Sequence, residues 1–140
     1  MAKMPTLVSV TQLIATQFQH MIFTDPDAYN ILDGLAVHWY EDDEHQHGAN
    51  VPPSVLSDAH EVLNGKWILY TEACNFMVLP AMGQWPSADK YVHDILDGLN
   101  NWITGWVDWN LALDSQGGPS WINNTSDAPI IVSNKLWSML

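Results

Sequence analysis

A single carboxylate, Glu72, ends the apolar run Trp67-Ile68-Leu69-Tyr70 inside the stretch Lys66–Phe76. An acid delivered by a buried strand to the mouth of a pocket can serve as a nucleophile or a general acid/base. The same residue could equally be a solvated or capping carboxylate, and pattern alone leaves both readings open. Two residues on, Cys74 is either a second nucleophile or a small wall residue; without an identifiable histidine partner it reads as wall. His38 and Tyr40 close a second strand-like run, Gly34–Tyr40. Two apart, they share one face of a strand, where they could bond a substrate or a catalytic carboxylate, or simply pack at the rim. Asp108, Trp109 and Asn110 close a third run, Thr104–Asn110. They offer a stacking platform with polar contacts, or one buried tryptophan followed by a turn.

A different chemistry is written in Asp42, Asp43, Glu44, His45 and His47. A His-x-His pair beside three acids could bind a divalent metal, although neighbouring ligands in a loop rarely converge tetrahedrally. A solvated acidic loop is the simpler reading. Asn123 and Asn124 begin two overlapping glycosylation sequons, which matter only in a secreted chain.

The elements that must position these residues alternate along the chain. Thr6–Thr11 reads as a strand. Gln12–Phe23 has helical apolar spacing, with Leu13, Ile14, Phe18, Met21 and Ile22. Thr24-Asp25-Pro26 opens a short helix that ends near Asp33-Gly34. A second strand follows over Gly34–Tyr40, then a polar loop over Glu41–Pro53. Pro53-Ser54 opens another helix, stopped by Asn64-Gly65. The third strand is Lys66–Thr71. An irregular apolar stretch, Asn75–Pro86, precedes a helix capped by Ser87, with Tyr91, Ile95, Leu99 and Trp102 on its apolar face. The fourth strand covers about Thr104–Trp109. The tail is loop-rich, with one apolar run, Ile130-Ile131-Val132. Strand-helix alternation implies parallel strands with right-handed crossovers. Sites in such folds lie at strand C-terminal ends, where Glu72, His38 and Asp108 fall. No glycine-rich turn follows the first strand, which argues against a nucleotide site.

Composition narrows the classes further. With 140 residues, 47% of them hydrophobic, the chain can bury a core. Its net charge of −12, with no arginine, argues against nucleic acid and anionic membranes as partners. It would suit an acidic compartment, where carboxylates partly protonate. One cysteine rules out an internal disulfide. The first residues lack the apolar core of a signal peptide, and no run is long enough for a transmembrane segment. Eight tryptophans are compatible with sugar stacking, though core filling explains most of them.

The blocks TDPDA, GLAVHWY, TEACNF, GWVDWNLALDSQGGPSW and DAPIIV, in this order and spacing, resemble the lysosomal acid β-glucosidases. These are the glucosylceramidases of glycoside hydrolase family 30. The resemblance runs from about Thr6 to Val132 and implies an α/β fold: part of a (β/α)8 TIM barrel, about strands five to eight. On that reading residues 1–140 are the C-terminal half of a catalytic barrel, without its N-terminal half and without the family's β-sandwich domain. The resemblance implies that Glu72 is the nucleophile, that His38, Tyr40, Cys74, Trp109 and Asn124 form the substrate pocket, and that there is no cofactor and no metal. It further implies glucosylceramide or another β-glucoside as substrate, a role in sphingolipid metabolism, a lysosomal address and a lipid-presenting activator protein as partner.

The departures are specific. The family's acid/base glutamate lies in an Asn-Glu-Pro block, and this sequence has none. The first strand ends in Val10-Thr11-Gln12 where acidic residues are usual, Met77 replaces a serine, and Thr125 replaces an aromatic. Four strands leave two open sheet edges. The isolated chain is therefore expected to aggregate or pair with another half, and to turn over little substrate. The alternatives are a catalytically dead carbohydrate-binding or regulatory half-barrel, and, further off, a metal-binding protein using His45 and His47.

Overall fold

A computed structural model of the chain describes residues 7–11, 22–42, 51–75, 84–121 and 125–132, the first of these as backbone alone. The helix expected over Gln12–Phe23 lies almost wholly outside the described residues, as do His45, His47, Asn123 and Asn124.

Four strands, β1 (Leu7–Thr11), β2 (Gly34–His38), β3 (Trp67–Glu72) and β4 (Ile103–Trp106), form one sheet in the order β1-β2-β3-β4. All three pairings are parallel, as the alternation predicts. Sequential order is that of a barrel wall; a doubly wound sheet would reverse direction at a switch point. The described strands make an open arc and not a closed barrel. Between them run helices α1 (Pro26–Ile31), α2 (Ser54–Leu63) and α3 (Trp85–Asn100).

Local chemistry explains the boundaries. Asp25 caps α1, its Oδ1 accepting from the amides of Asp27 and Ala28, with Pro26 supplying the first turn. Helix α2 stops where Asn64 turns left-handed at φ 47° and Gly65 follows at φ 93°. Leu56, Ala59 and Leu63 form its buried stripe. In β2, Leu35, Ala36 and Val37 are all buried, the continuous apolar run of a strand covered on both faces. Gly34 begins that strand because a Cβ there would sit 2.6 Å from the Trp67 ring.

Several boundaries differ from expectation. Helix α3 begins at Trp85 with Gln84 as cap, not at Ser87; Pro86 fits the first turn and moves the start upstream. Of its predicted apolar face, Leu99 is exposed, and Trp102 lies beyond the helix at φ 73°. The helix approaches the sheet through Gly98, where a Cβ would meet Ile103 at 3.1 Å and Tyr70 at 3.2 Å, so Leu99 is turned outward. Strand β2 stops at His38, and Trp39–Glu41 is a 3-10 turn. Strand β4 stops at Trp106, short of Asp108. The tail adds a feature not expected: β5 (Ala112–Asp114) pairs in parallel with β6 (Ile130–Val132).

On the helix side of the sheet, Tyr70 donates its hydroxyl proton to Asp42 Oδ2 at 2.7 Å, while Asp42 Oδ1 has no hydrogen-bond partner among the described residues. Burial first, then the nearby Asp94, push the Asp42 carboxyl up to about 8, against the opposing Tyr70 bond and Lys90 charge. Unfolded, the group returns to about 3.8. Between those values the native state holds a proton that the unfolded state has lost. Stability is then fully present below about pH 4 and falls as pH rises, by at most about 1.4 kcal/mol per pH unit, until about pH 8. Urea titrations at pH 5 and pH 7.5 should show the acidic sample more stable, and Asp42→Asn should flatten the difference. An unchanged slope in Asp42→Asn would assign the dependence elsewhere.

Candidate active site

Two backbone irregularities bring the site together. Across β2 and β3, Val37 pairs with Tyr70, but the next pair is His38 with Glu72, so β3 carries one extra residue. A bulge of this kind re-aims side chains. Regular pairing would put His38 opposite Thr71 and turn Glu72 away. The second irregularity is the 3-10 turn after His38. It carries Tyr40 inward, so His38 and Tyr40 meet Glu72 through a turn and not through strand alternation.

The resulting contacts are short. Tyr40 donates its hydroxyl proton to Glu72 Oε1 at 3.0 Å. Its oxygen lies 3.5 Å from Cys74 Sγ. A phenol has one proton, so with that proton on Glu72 the thiol donates to Tyr40, giving a relay from Cys74 through Tyr40 to Glu72. Burial, then the neighbouring Cys74 and Glu72, hold the Tyr40 phenol far above its ordinary range, which keeps it a donor. Burial pushes the Cys74 thiol up to about 11, against its hydrogen-bond contacts with Tyr40 and Ser126. The thiol is fully buried, which fits the wall reading of Cys74. His38 Nδ1 lies 3.8 Å from Glu72 Oε1, beyond hydrogen-bond length, the side chains being equally half-buried.

Trp109 is 48% exposed, and its backbone amide donates to the Ala73 carbonyl at 2.9 Å. That bond seats the post-β4 segment beside the post-β3 segment. Trp109 also lines a cavity of about 330 Å³ with Asn110, Leu113 and Trp121. A larger cavity, about 580 Å³, lies along α3, with Tyr91, Trp106, Asp108 and Asp127 among its lining. Glu72 lines neither of these two, so cavity size does not lead to the chemistry here. Asp108, grouped with Trp109 by sequence, belongs to this second region: Tyr91 OH is 3.1 Å from its Oδ1. Burial raises the Asp108 carboxyl above its ordinary range. Among the described residues no group of three or more His, Cys, Asp or Glu side chains is placed to hold a metal. His45, His47 and Asn124 lie outside the described residues.

Sequence patterning missed Trp39, Asn75, Ser126 and Asp127. Trp39 is fully buried, and its Nε1 donates to the Cys74 carbonyl at 3.2 Å. Asn75 and Asp127 bond each other across 52 residues. Their only sequence signal was membership of the TEACNF and DAPIIV blocks.

The profile of the glycosyl hydrolase family 30 TIM-barrel domain matches residues 7–138. The chain belongs to glycosyl hydrolase family 30. Among curated proteins it is 34% identical over 125 residues to the lysosomal acid glucosylceramidase of Mus musculus, covering 86% of this chain and 23% of that protein. The crystal structure of SrfJ from Salmonella typhimurium superposes with a TM-score of 0.72 at 29% identity, over 85% of this chain and 25% of that one. The endo-β1,6-glucanase BT3312 shares the fold, with a TM-score of 0.64 at 22% identity over 86% of this chain. The chain spans about a fifth of the length of the curated relatives it matches. As a family 30 chain it is part of a TIM barrel of the glycoside hydrolase class, and its parallel, sequentially ordered strands are that barrel's wall.

Proposed function

We propose that this chain carries the nucleophile-bearing part of a retaining β-glucosidase site of the glucosylceramidase type, with Glu72 as nucleophile. The observation that carries the reading is the Tyr40 hydroxyl at 3.0 Å from Glu72, at the C-terminal end of a barrel strand, with His38 Nδ1 3.8 Å from the same carboxylate oxygen. A nucleophilic carboxylate must stay ionised and hold one orientation. Tyr40 donates to it at 3.0 Å and so favours its ionised form.

In the first step a Glu72 oxygen bonds the anomeric carbon as the bond to the aglycone breaks. The departing oxygen takes the electron pair and a proton from a second carboxyl, typically about 5–5.5 Å away in retaining enzymes. Water, deprotonated by that same group, then releases the sugar and restores Glu72. Trp109 offers an exposed ring for the sugar face, and Cys74 braces Tyr40. Asn124 would bond the sugar's edge. The second carboxyl would come from residues outside this chain, because the sequence lacks the family's Asn-Glu-Pro block. Turnover of glucosylceramide by the 140-residue chain alone is therefore expected to be negligible. A lysosomal setting and a lipid-presenting activator protein belong to the same proposal. The lysosomal setting is supported by the name of the mouse relative and by the acidic composition.

The test separates the two half-reactions. A dinitrophenyl leaving group departs without protonation, and fluorine at the sugar's C2 slows hydrolysis of the glycosyl-enzyme. Incubation with 2,4-dinitrophenyl 2-deoxy-2-fluoro-β-glucoside should add one fluoroglucosyl unit, located on Glu72 by peptide mass spectrometry. Folded but unlabelled protein would instead support a binding or regulatory half-barrel.

A further inference from the structure

We propose that Asp127 is a positioning residue for Glu72, acting through Asn75; this rests on Glu72 being the nucleophile. The three residues after Glu72 are each held by a different part of the chain. The Ala73 carbonyl accepts from the Trp109 amide at 2.9 Å, and the Cys74 carbonyl from Trp39 Nε1 at 3.2 Å. Asn75 is gripped from the tail: its amide donates to Asp127 Oδ1 at 2.7 Å, its side-chain Nδ2 to Asp127 Oδ2 at 2.6 Å, and its carbonyl accepts from the Asp127 amide at 3.3 Å.

Both partners are 6% exposed. A carboxylate is costly to bury, and this one is placed where it takes two donors from a single residue three positions beyond the nucleophile. Ser126, its neighbour, bonds the Cys74 thiol that braces Tyr40. Residues 126 and 127 thus grip residues 74 and 75 side by side. Asp127 also meets Tyr91, whose hydroxyl is 3.1 Å from Oδ1 and also reaches Asp108. The clamp sets the path of the chain leaving β3, and with it the direction in which the last strand residue, Glu72, points.

Asp127→Asn is close to isosteric but puts an amide NH2 against one of the two Asn75 donors. In the labelling experiment on the full chain, the rate at saturating reagent is expected to fall roughly tenfold to a hundredfold. The half-saturating concentration should stay the same, because the sugar contacts are untouched. Asn75→Ala, which removes one of the three bonds, should lower the saturating rate about threefold to tenfold. The double variant should be little slower than Asp127→Asn alone. Tyr91→Phe, which removes the hydroxyl contacts to Asp127 and Asp108 but leaves the Asn75 clamp, should label at the wild-type rate. Should Asp127→Asn fail to fold, Asn75→Ala carries the test. Wild-type protein that labels, with both clamp variants labelling equally fast, would overturn the inference and leave the nucleophile assignment standing. Multiplicative effects in the double variant would also overturn it, since Asp127 would not be acting through Asn75. Folded wild-type protein that does not label would remove the nucleophile assignment, and the inference with it.

Discussion

Glu72→Gln is expected to abolish covalent labelling, with a loss of at least roughly a thousandfold in rate, while leaving the fold in place. The amide has nearly the shape of the carboxylate, and its carbonyl can still accept the Tyr40 proton now donated at 3.0 Å. What disappears is the negative charge and the nucleophilic oxygen. With a dinitrophenyl leaving group no acid is required, so the loss reports attack at the anomeric carbon and nothing downstream. The measurement is intact mass against time for both proteins, with urea unfolding as the control. The two unfolding curves should nearly coincide, because the amide keeps the carboxylate's shape and its bond from Tyr40. Equal labelling of the variant, or labelling at another residue, would take the nucleophile away from Glu72.

The second large effect falls on stability. Trp39→Ala is expected to destabilise the chain by about 3–5 kcal/mol, comparable with the whole stability of a small domain. The Trp39 ring is fully buried, stacks on Tyr91 at 4.7 Å and meets Trp106 edge-on at 5.8 Å. The Lys90 ammonium lies over it at 4.2 Å. Alanine leaves a cavity in that aromatic cluster and strands the Cys74 carbonyl that Nε1 now satisfies. Thermal unfolding followed by circular dichroism measures it. Trp39→Phe restores most of the packing but not the bond, so it should recover most of the loss. A variant within 1 kcal/mol of wild type would mean that the cluster repacks freely.

These two residues, 33 positions apart in sequence, show what a linear reading could and could not find. Glu72 stood out because an isolated acid after four apolar residues breaks the strand pattern. Trp39 did not, because a tryptophan inside an apolar run looks like core wherever it sits. The Asn75–Asp127 pair was hidden for a different reason. No periodicity links residues on separate elements, so only their positions in space reveal them.

By itself the sequence determined the alternation of strands and helices, the parallel sheet and the family, and it singled out Glu72 as the candidate nucleophile. Each of these rests on local signals: apolar runs, caps such as Asp25-Pro26, stops such as Asn64-Gly65, and blocks of matching residues. Tertiary structure decided the rest. The extra residue in β3 put Glu72 beside His38, and the turn at Trp39–Glu41 swung Tyr40 onto it. Burial raised the affinity of the Cys74 thiol for its proton and set it 3.5 Å from the Tyr40 hydroxyl. Asp127 was brought to Asn75 from the far end of the chain. Register shifts, burial and long-range hydrogen bonds depend on which surfaces meet, and that is a property of the packed molecule and not of any stretch of its sequence.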